Sequence, residues 1–196
     1  MHQGTNYRYQ SWQPVDTHLV TKGIKAPYYG NTAVAAVMGD LTENNVKILN
    51  IRLPSPFEAA YATYFNGKLA RIAIINMIEY NYITPNASSP PADRPSAIYT
   101  FQLPGLTVRG DNDNGGRISR QRLLANGSNA ITGITFDGYS YNYELDHGKP
   151  VLLRNATRGE TVEVNKGGSV RVRVPYSSAA ISNFGDIEEE ENWGRH

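Results

Sequence analysis

The fold class is decided by one stretch, Ala59-Ala60-Tyr61-Ala62-Thr63-Tyr64-Phe65-Asn66-Gly67-Lys68-Leu69-Ala70-Arg71-Ile72-Ala73-Ile74-Ile75-Asn76-Met77. Aromatic and β-branched residues, which favour strands, fill both of its halves. Asn66-Gly67 stands between the halves, and Asn-Gly between two such runs is the strongest short-range signal for a β-hairpin. The stretch therefore predicts two antiparallel strands joined by a tight turn.

Similar short runs continue on either side of this hairpin. They are Val46–Leu53, Ala97–Leu103, Ile131–Phe136 and Tyr139–Tyr143 around Asp137-Gly138, and Thr161–Val164 and Ser169–Val174 around Lys166-Gly167-Gly168. About eight strands with turn signals at roughly 8–12-residue spacing are typical of a sandwich or barrel, and not of βαβ units. The region from residue 41 to 184 is therefore predicted to be an all-β, antiparallel β-sandwich.

The first forty residues have a different pattern. Tyr7–Trp12 alternates aromatic and polar residues, which predicts a short strand, and a loop follows it. A helix is predicted over Tyr28–Gly39, with Pro27 in its first turn and Gly39 as its C-terminal cap. One face of this helix is apolar and is formed by Tyr29, Ala33, Ala36 and Val37. Residues 1–40 thus form a strand–loop–helix unit, and residues 185–196 read as an acidic, solvated tail.

Composition excludes several functional classes. Of 196 residues, 40% are hydrophobic and 19% charged, and the net charge is +1. These values exclude a disordered chain and give no electrostatic reason to expect nucleic acid or an anionic membrane as partner. No apolar run approaches the ~20 residues that span a bilayer. No signal peptide is visible at the N-terminus of this chain, and without cysteine there is no disulfide or thiolate chemistry.

Residues with catalytic or metal-binding potential are scattered. The carboxylates of the β-region that we considered as glycosidase groups are Glu58, Glu79, Glu144, Glu160 and Glu163. None has a distinctive sequence setting, so no catalytic residue is assigned. The four histidines, His2, His18, His147 and His196, match no metal motif. We therefore expect neither a metal nor a cofactor.

Two features of the sequence concern the surface of the protein. The N-x-[ST] sequons at Asn86, Asn126 and Asn155 lie in turn-like sequence and favour a secretory origin. The chain also has thirteen tyrosines. Exposed tyrosines on a sandwich can stack on sugars, so a stand-alone carbohydrate-binding module is an alternative function. The other reading of these tyrosines is that they are ordinary strand residues.

Several blocks together carry a family resemblance. In chain order they are His2–Tyr9, Trp12-Gln13-Pro14, Lys25–Asn31, Val34-Ala35-Ala36 with Gly39, Ala60–Tyr64, Arg71–Asn76, Leu124–Ser128, Gly133–Gly138 and Val174–Ile181. The first four resemble the last barrel strand and helix of fungal family 79 glycoside hydrolases, the β-glucuronidase and heparanase-like enzymes. The others resemble that family's C-terminal β-domain.

The resemblance implies a (β/α)₈ barrel packed on a β-sandwich, with two catalytic glutamates upstream of this segment. Residues 1–40 would then be the end of the barrel. The family's loop after the last barrel strand holds the sugar carboxylate through a tyrosine and a glycine, which implies Tyr7 and, less directly, Gly4 as substrate-binding residues. The implied partners are the catalytic barrel and, through it, a uronic-acid-containing glycan. The implied location is extracellular, as part of the parent enzyme.

The resemblance makes an accessory domain that stabilises a β-glucuronidase-like barrel the first hypothesis. The sugar-binding module is the second hypothesis, and an intact small enzyme with unrecognised carboxylates is the third. Because the family's sandwich also takes strand material from the enzyme's N-terminus, we expect this chain to have an unpaired sheet edge. We also expect its helix to lack its barrel neighbours.

Overall fold

The computed structural model describes residues 10–18, 21–83, 93–103, 116–165 and 167–184. The strands are β1 (Trp12–Gln13), β2 (Gly23–Ile24), β3 (Val46–Ile51), β4 (Glu58–Phe65), β5 (Lys68–Asn76), β6 (Ser96–Gln102), β7 (Gly116–Leu124), β8 (Thr135–Phe136), β9 (Tyr139–Ser140), β10 (Val151–Leu152), β11 (Glu160–Val164), β12 (Ser169–Pro175) and β13 (Ser178–Asn183). The helices are α1 (Ala26–Met38) and α2 (Tyr143–Asp146). All strand pairs are antiparallel.

The fold is the predicted antiparallel β-sandwich. Eight of the described strands have five residues or more, but two of these, β7 and β13, were not among the predicted runs, and the predicted runs Ile131–Phe136 and Tyr139–Tyr143 contain strands of two residues each. One layer has the order β3-β4-β5-β13-β7 and continues into β8, β9 and β10, and the other has the order β6-β12-β11-β7. Between the layers lies the main core, in which Ile72 and Ile74 of the first layer face Val170 and Val172 of the second.

The hairpin that decided the fold class has the expected turn. Asn66 and Gly67 have φ values of 51° and 85°, so both adopt the left-handed conformation that a two-residue hairpin turn requires. Asp137 and Gly138 do the same, at 48° and 81°. The strands around the second turn are shorter than predicted. Only Thr135–Phe136 and Tyr139–Ser140 pair there, because Tyr143 begins α2.

Strand β7 belongs to both layers. Its first part pairs with β11, where Ile118 lies opposite Val162, and its later part pairs with β13, where Leu123 lies opposite Ala179. β13 itself lies between β5 and β7. Its Ala180 faces the main core, and its Ile181 faces a second apolar cluster on the outer side of the layer.

Helix α1 covers that second cluster. Ala33, Ala36 and Val37 pack against Ala73, Phe136 and Ile181, and Tyr29 of the same predicted stripe is 3% exposed. The helix has a proline in its first turn, and Gly39 caps its end with a φ of 65°. The predicted helix and its apolar face are thus confirmed. Whether this unit derives from a barrel stays an implication of the resemblance.

The strand predicted at Tyr7–Trp12 falls mostly outside the described residues. Within the described part, the pairing segment is β1, Trp12–Gln13, which is antiparallel to β2. The predicted tail, residues 185–196, also lies outside the description.

Candidate functional site

The implied substrate-binding residues Tyr7 and Gly4 lie outside the described residues, so their roles stay predictions. The chain that follows them is described from Gln10 onward. Gln10, Ser11 and Gln13 are buried, although all three are polar. The side-chain amide of Gln10 donates to the side-chain oxygen of Gln13, and the Gln13 amide donates to the carbonyl oxygen of Val15 at 2.8 Å. This segment is therefore held by specific polar contacts.

Ser11 connects this segment to the beginning of α1. Its carbonyl oxygen accepts a hydrogen bond from the backbone N–H of Lys25 at 2.9 Å. Its hydroxyl accepts one from the Asn31 side-chain amide at 2.8 Å. We call β1, β2 and their connection the β1–β2 ribbon. These bonds fix the ribbon relative to the N-cap residue of α1, Lys25, and to Asn31 in its second turn.

A group of side chains that we call the Tyr29 cluster, formed by Tyr28, Tyr29, Ser140 and Tyr141, joins α1 to the sandwich. The Tyr29 hydroxyl lies 3.0 Å from the Ser140 hydroxyl and accepts the backbone N–H of Tyr141 at 2.8 Å. The three rings pack edge to face, with centroids 5.3–6.2 Å apart. Burial raises the pKa of Tyr141, and its tyrosine neighbours add to the effect. The Tyr29 hydroxyl is therefore held by two hydrogen bonds within a group of packed aromatic rings.

Glu160 is held by two arginines. Arg120 Nε lies 2.8 Å from Glu160 Oε2, and Arg122 Nε donates to the same oxygen. Burial alone would raise the pKa of Glu160, but the hydrogen bonds and charges of the two arginines outweigh burial and hold the pKa below its usual range. A general acid in a glycosidase needs the opposite shift. Glu160 is therefore not suited to act as a general acid, and its two arginine partners join β11 to β7.

The other four glutamates have ordinary surroundings. Glu58 accepts a hydrogen bond from the hydroxyl of Tyr99, a residue of the main core. Glu79 accepts one from the Asn81 amide. Glu163 lies 3.7 Å from Arg117 on the surface, and Glu144 is exposed on α2. Within the described ranges, no group of three or more His, Asp or Glu side chains could hold a metal ion.

We considered two of the open polar pockets on the described surface. One, of about 310 Å³, lies beside the end of α1 and includes Arg71, Arg120, Gln121, Asp137 and Asn183. Its arginines already have partners, because Arg71 donates to the Val37 carbonyl at the end of α1 and Arg120 binds Glu160. The other, of about 430 Å³, lies along β3 and the beginning of β4. Neither contains a glycosidase-like pair of carboxylates.

The tyrosines do not form a sugar-stacking platform in the described part of the chain. Of the tyrosines described there, Tyr82 alone is classed as exposed, at 38%, and the others are buried or half-buried. This does not favour a stand-alone module that binds sugars through surface tyrosines. The ordinary reading, tyrosine as a strand and core residue, fits better.

Two of the three predicted N-glycosylation sequons lie in the described residues. Asn126 and Asn155 are both exposed, whereas Asn86 lies outside the described residues. Ser128 of the second sequon lies 2.6 Å from the Ser177 hydroxyl. Among the helices described, none is long and apolar enough to cross a membrane.

The sequence did not predict the hydrogen-bond partners of Tyr29 and Glu160. Ser140, Arg120 and Arg122 stand in no motif, and their contacts join positions 111, 40 and 38 residues apart. The apolar stripe that includes Tyr29 was the one available signal. It marked a buried face of α1 but not the hydrogen bonds of the tyrosine hydroxyl.

The fold defines an antiparallel β-domain with a helix packed on one layer, and no pair of carboxylates arranged as in a glycosidase was found among the described residues. Residues 60–181 match the family model described as the glycosyl hydrolase family 79 C-terminal beta domain, and the chain belongs to that family.

Two curated relatives are β-glucuronidases from fungi. The chain is 54% identical to the protein from Aspergillus niger over 184 residues, which are 92% of the chain and 32% of the relative. It is 42% identical to the protein from Neurospora crassa over 209 residues, which cover 94% of the chain and 37% of the relative. The chain thus spans about a third of each relative and corresponds to an accessory domain of a larger enzyme.

A solved structure shares the fold. The 4-O-α-L-rhamnosyl-β-D-glucuronidase from Fusarium oxysporum superposes with a TM-score of 0.60 at 22% identity. The match covers 83% of this chain and 30% of that structure. At this identity the match supports the fold and nothing finer.

Proposed function

We propose that this chain serves as the accessory C-terminal domain of a β-glucuronidase-type hydrolase and stabilises the catalytic barrel of that enzyme. The catalytic glutamates belong to the barrel, and this chain supplies none. One observation carries the proposal. The chain is 54% identical to the Aspergillus β-glucuronidase over 92% of its length, yet it covers 32% of that enzyme.

The exposed apolar surface supports a barrel as partner. On α1, the face turned away from the sheet exposes Val34 at 56%. Within the described strands, β3 pairs with β4 alone and β6 with β12 alone, so each has a free edge. Leu49 of β3 is 57% exposed, and Ile98 of β6 is 44% exposed. Free edges with exposed apolar side chains are liabilities unless another segment covers them.

The proposed substrate of the complete enzyme is a uronic-acid-containing glycan, with Tyr7 and the neighbouring Gly4 contacting the sugar carboxylate. A phenol and backbone amides are chemically suited to that contact. Secretion of the parent, with glycans on Asn126 and Asn155, is part of the same proposal. Both asparagines are exposed, which supports it.

The test is to produce the barrel region of the Aspergillus relative alone and joined to this chain, and to assay both for aryl-glucuronide hydrolysis. We expect the joined protein to be active, the barrel alone to aggregate or lose activity on mild heating, and the purified chain to be inactive. Hydrolysis by the purified chain, or a barrel equally stable without it, would contradict the proposal. Expression in a fungal secretory host, followed by enzymatic deglycosylation, tests export and the two sequons.

A further inference from the structure

We propose that the pocket beside the end of α1 is a binding site for one uncharged sugar residue, with Asn183 at the centre of its floor. The site is distinct from the stand-alone module considered above, which would bind sugars through surface tyrosines, because no tyrosine is among the described residues that line this pocket. The inference does not rest on the proposed function, since it concerns binding by this chain alone and no step of hydrolysis.

The floor of the pocket is formed by three neighbouring strands. Asn183 of β13 lies opposite Arg71 of β5 and opposite Ser119 of β7, and all three residues line the pocket. Directly opposite residues of antiparallel strands have their side chains on the same face of the sheet. The Asn183 side-chain amide donates to the Ser119 hydroxyl at 3.3 Å. A guanidinium, an amide and a hydroxyl therefore form one polar row across the layer.

This polar row begins where the cover of α1 ends. Two residues away along β13, Ile181 packs with Ala73 in the apolar cluster that α1 covers. The Arg71 side chain donates to the carbonyl oxygen of Val37, in the last turn of α1, at 3.2 Å. The simplest alternative for polar residues beyond the end of a helix is a solvated surface. However, the side chains of the row are half-buried and line a pocket of about 310 Å³, so one ligand can contact all of them.

The rest of the lining adds an acceptor and an apolar surface. Asp137, in the turn between β8 and β9, lines the pocket, and one of its carboxylate oxygens accepts the backbone N–H of Gly159 at 3.3 Å. A carboxylate has further lone pairs that can accept hydrogen bonds from a ligand. Phe65 also lines the pocket, and its ring centre lies 4.8 Å from the guanidinium carbon of Arg71. The pocket thus offers a ligand a charged acceptor, a charged donor and part of an aromatic ring.

The charges in the pocket favour an uncharged ligand. Arg71 can only donate hydrogen bonds, and Asp137 can only accept them. Arg120 also lines the pocket, but its Nε lies 2.8 Å from Glu160, and Arg122, the second partner of Glu160, is not among the lining residues. A phosphate or carboxylate would be repelled by Asp137, and an ammonium group would be repelled by Arg71. Sugar hydroxyls both donate and accept, so one sugar ring can satisfy both side chains.

The test is a titration of the isotope-labelled 196-residue chain, followed by two-dimensional NMR. The probes are methyl β-D-glucopyranoside, methyl β-D-galactopyranoside and methyl β-D-xylopyranoside. A volume of about 310 Å³ is at the lower end of the range for ligand pockets, so we expect one ring to bind, with a dissociation constant of about 1 mM for at least one probe. The side-chain amide signals of Asn183 and Gln121, which line the pocket, should shift, whereas the Ile74 amide in the main core should not.

Two charged probes test the class of ligand. Methyl β-D-glucuronide differs from the glucoside by a carboxylate, and inorganic phosphate is an anion without a sugar ring. We expect both to bind about tenfold more weakly than the best neutral probe, because Asp137 repels them. Asp137→Asn removes this charge, and asparagine suits the same left-handed turn position. The substitution should tighten glucuronide binding about tenfold and change glucoside binding by less than about threefold.

Asn183→Ala removes the central amide of the floor, and Asn50→Ala is its matched control. Asn50 lies opposite Tyr61, which lies opposite Ala73, so Asn50 is on the same face of the layer but outside the pocket. We expect Asn183→Ala to weaken binding of the neutral probes about tenfold, because hydrogen bonds to the ring are lost. The control should change the dissociation constant by less than about twofold. The Ile74 signal shows in each variant whether the core is intact.

Four results would overturn the proposal. The first is no shift of the Asn183 and Gln121 signals with any neutral probe at about 20 mM. The second is equal weakening of binding by Asn183→Ala and Asn50→Ala. The third is tighter binding of phosphate than of every sugar, which would make the pocket an anion site. The fourth is a glucuronide affinity that Asp137→Asn leaves unchanged. None of these results bears on the stabilisation of a barrel, which has its own test.

Discussion

Replacing Glu160 by glutamine would remove the shared counter-charge of two arginines without removing any volume. Arg120 and Arg122 lie in β7, close to the point where that strand leaves one layer for the other, and both bind one oxygen of Glu160 in β11. Glutamine keeps a carbonyl oxygen that can accept hydrogen bonds from both arginines, but it carries no charge. The substitution therefore leaves two guanidinium groups without their anion.

The expected cost follows from the exposure of the three side chains. Arg120 and Arg122 are 13% and 11% exposed, and Glu160 is 23% exposed. An exposed ion pair contributes about 0–1 kcal/mol, whereas breaking a buried one costs about 3–5 kcal/mol. Because these groups are mostly buried, but the glutamine oxygen can still accept hydrogen bonds from the arginines, we expect a loss of about 2 kcal/mol at pH 7. With a urea m-value of about 2 kcal/mol/M, the unfolding midpoint falls by about 1 M.

The pH dependence gives a second check. The pKa of Glu160 is lower in the folded protein than in the unfolded chain. Its contribution to the free energy of unfolding is therefore fully present above the unfolded pKa, about 4.3, and is lost as the pH falls through the lower folded pKa. The difference in free energy of unfolding between the unmutated protein and Glu160→Gln should therefore be constant from about pH 7 to about pH 5 and should disappear in more acidic solution.

The assay is urea denaturation followed by circular dichroism, with Glu163→Gln as control. Glu163 is in the same strand, but its side chain is 77% exposed and it lies 3.7 Å from Arg117. We expect the control to lose less than about 0.5 kcal/mol. Equal losses in the two variants, or a Glu160→Gln loss that persists below the folded pKa, would refute this reasoning.

Three further changes, the first with Gly67→Ala as its control, test other parts of the structure. Gly39→Ala should cost about 2–3 kcal/mol, because φ is 65° and the new Cβ would lie 2.5 Å from the Phe65 ring. Gly67→Ala is the control, because φ is 85° there but a new Cβ would meet no neighbouring atom, and it should cost about 1 kcal/mol. Equal losses of stability for Gly39→Ala and Gly67→Ala in thermal unfolding would contradict a clash with the Phe65 ring. Arg94→Met should lower the free energy of unfolding by about 3 kcal/mol, because the guanidinium donates to three backbone carbonyls, and an unchanged urea midpoint would show that water replaces it. Leu49→Lys on the free edge of β3 should reduce light scattering during refolding with a stability change below about 0.5 kcal/mol, whereas unchanged scattering would exclude this edge as the aggregating surface.

The parts of the fold that sequence predicted are those that local chemistry determines. Asn66-Gly67 needs two left-handed residues, and the strands on both sides have the residue types that suit a sheet. The helix over Ala26–Met38 was indicated by its proline, its final glycine and its apolar stripe. Each of these signals lies within a few residues of the structure that it specifies.

The strands that sequence did not predict depend on distant partners. In β7, Arg122 lies opposite the buried Ala180 of β13, so charged residues interrupt the alternation of apolar and polar residues that would predict a strand. The charge of Arg122 is compensated by Glu160 in another strand, β11. In β13, small residues replace the usual branched ones because the main core covers one face and α1 covers the other. The same limit applied to the Tyr29 cluster. A sequence stripe marks Tyr29 as buried, but nothing local identifies Ser140 as its partner.

The position of β13 has a consequence for how the protein is made. β13 pairs with β5 on one side and β7 on the other, yet it is the last described strand in the chain. Since a ribosome delivers the N-terminal part first, the larger layer stays split into two separate pieces until residue 183 has emerged. During that interval the β4–β5 hairpin and β7 both present unpaired edges.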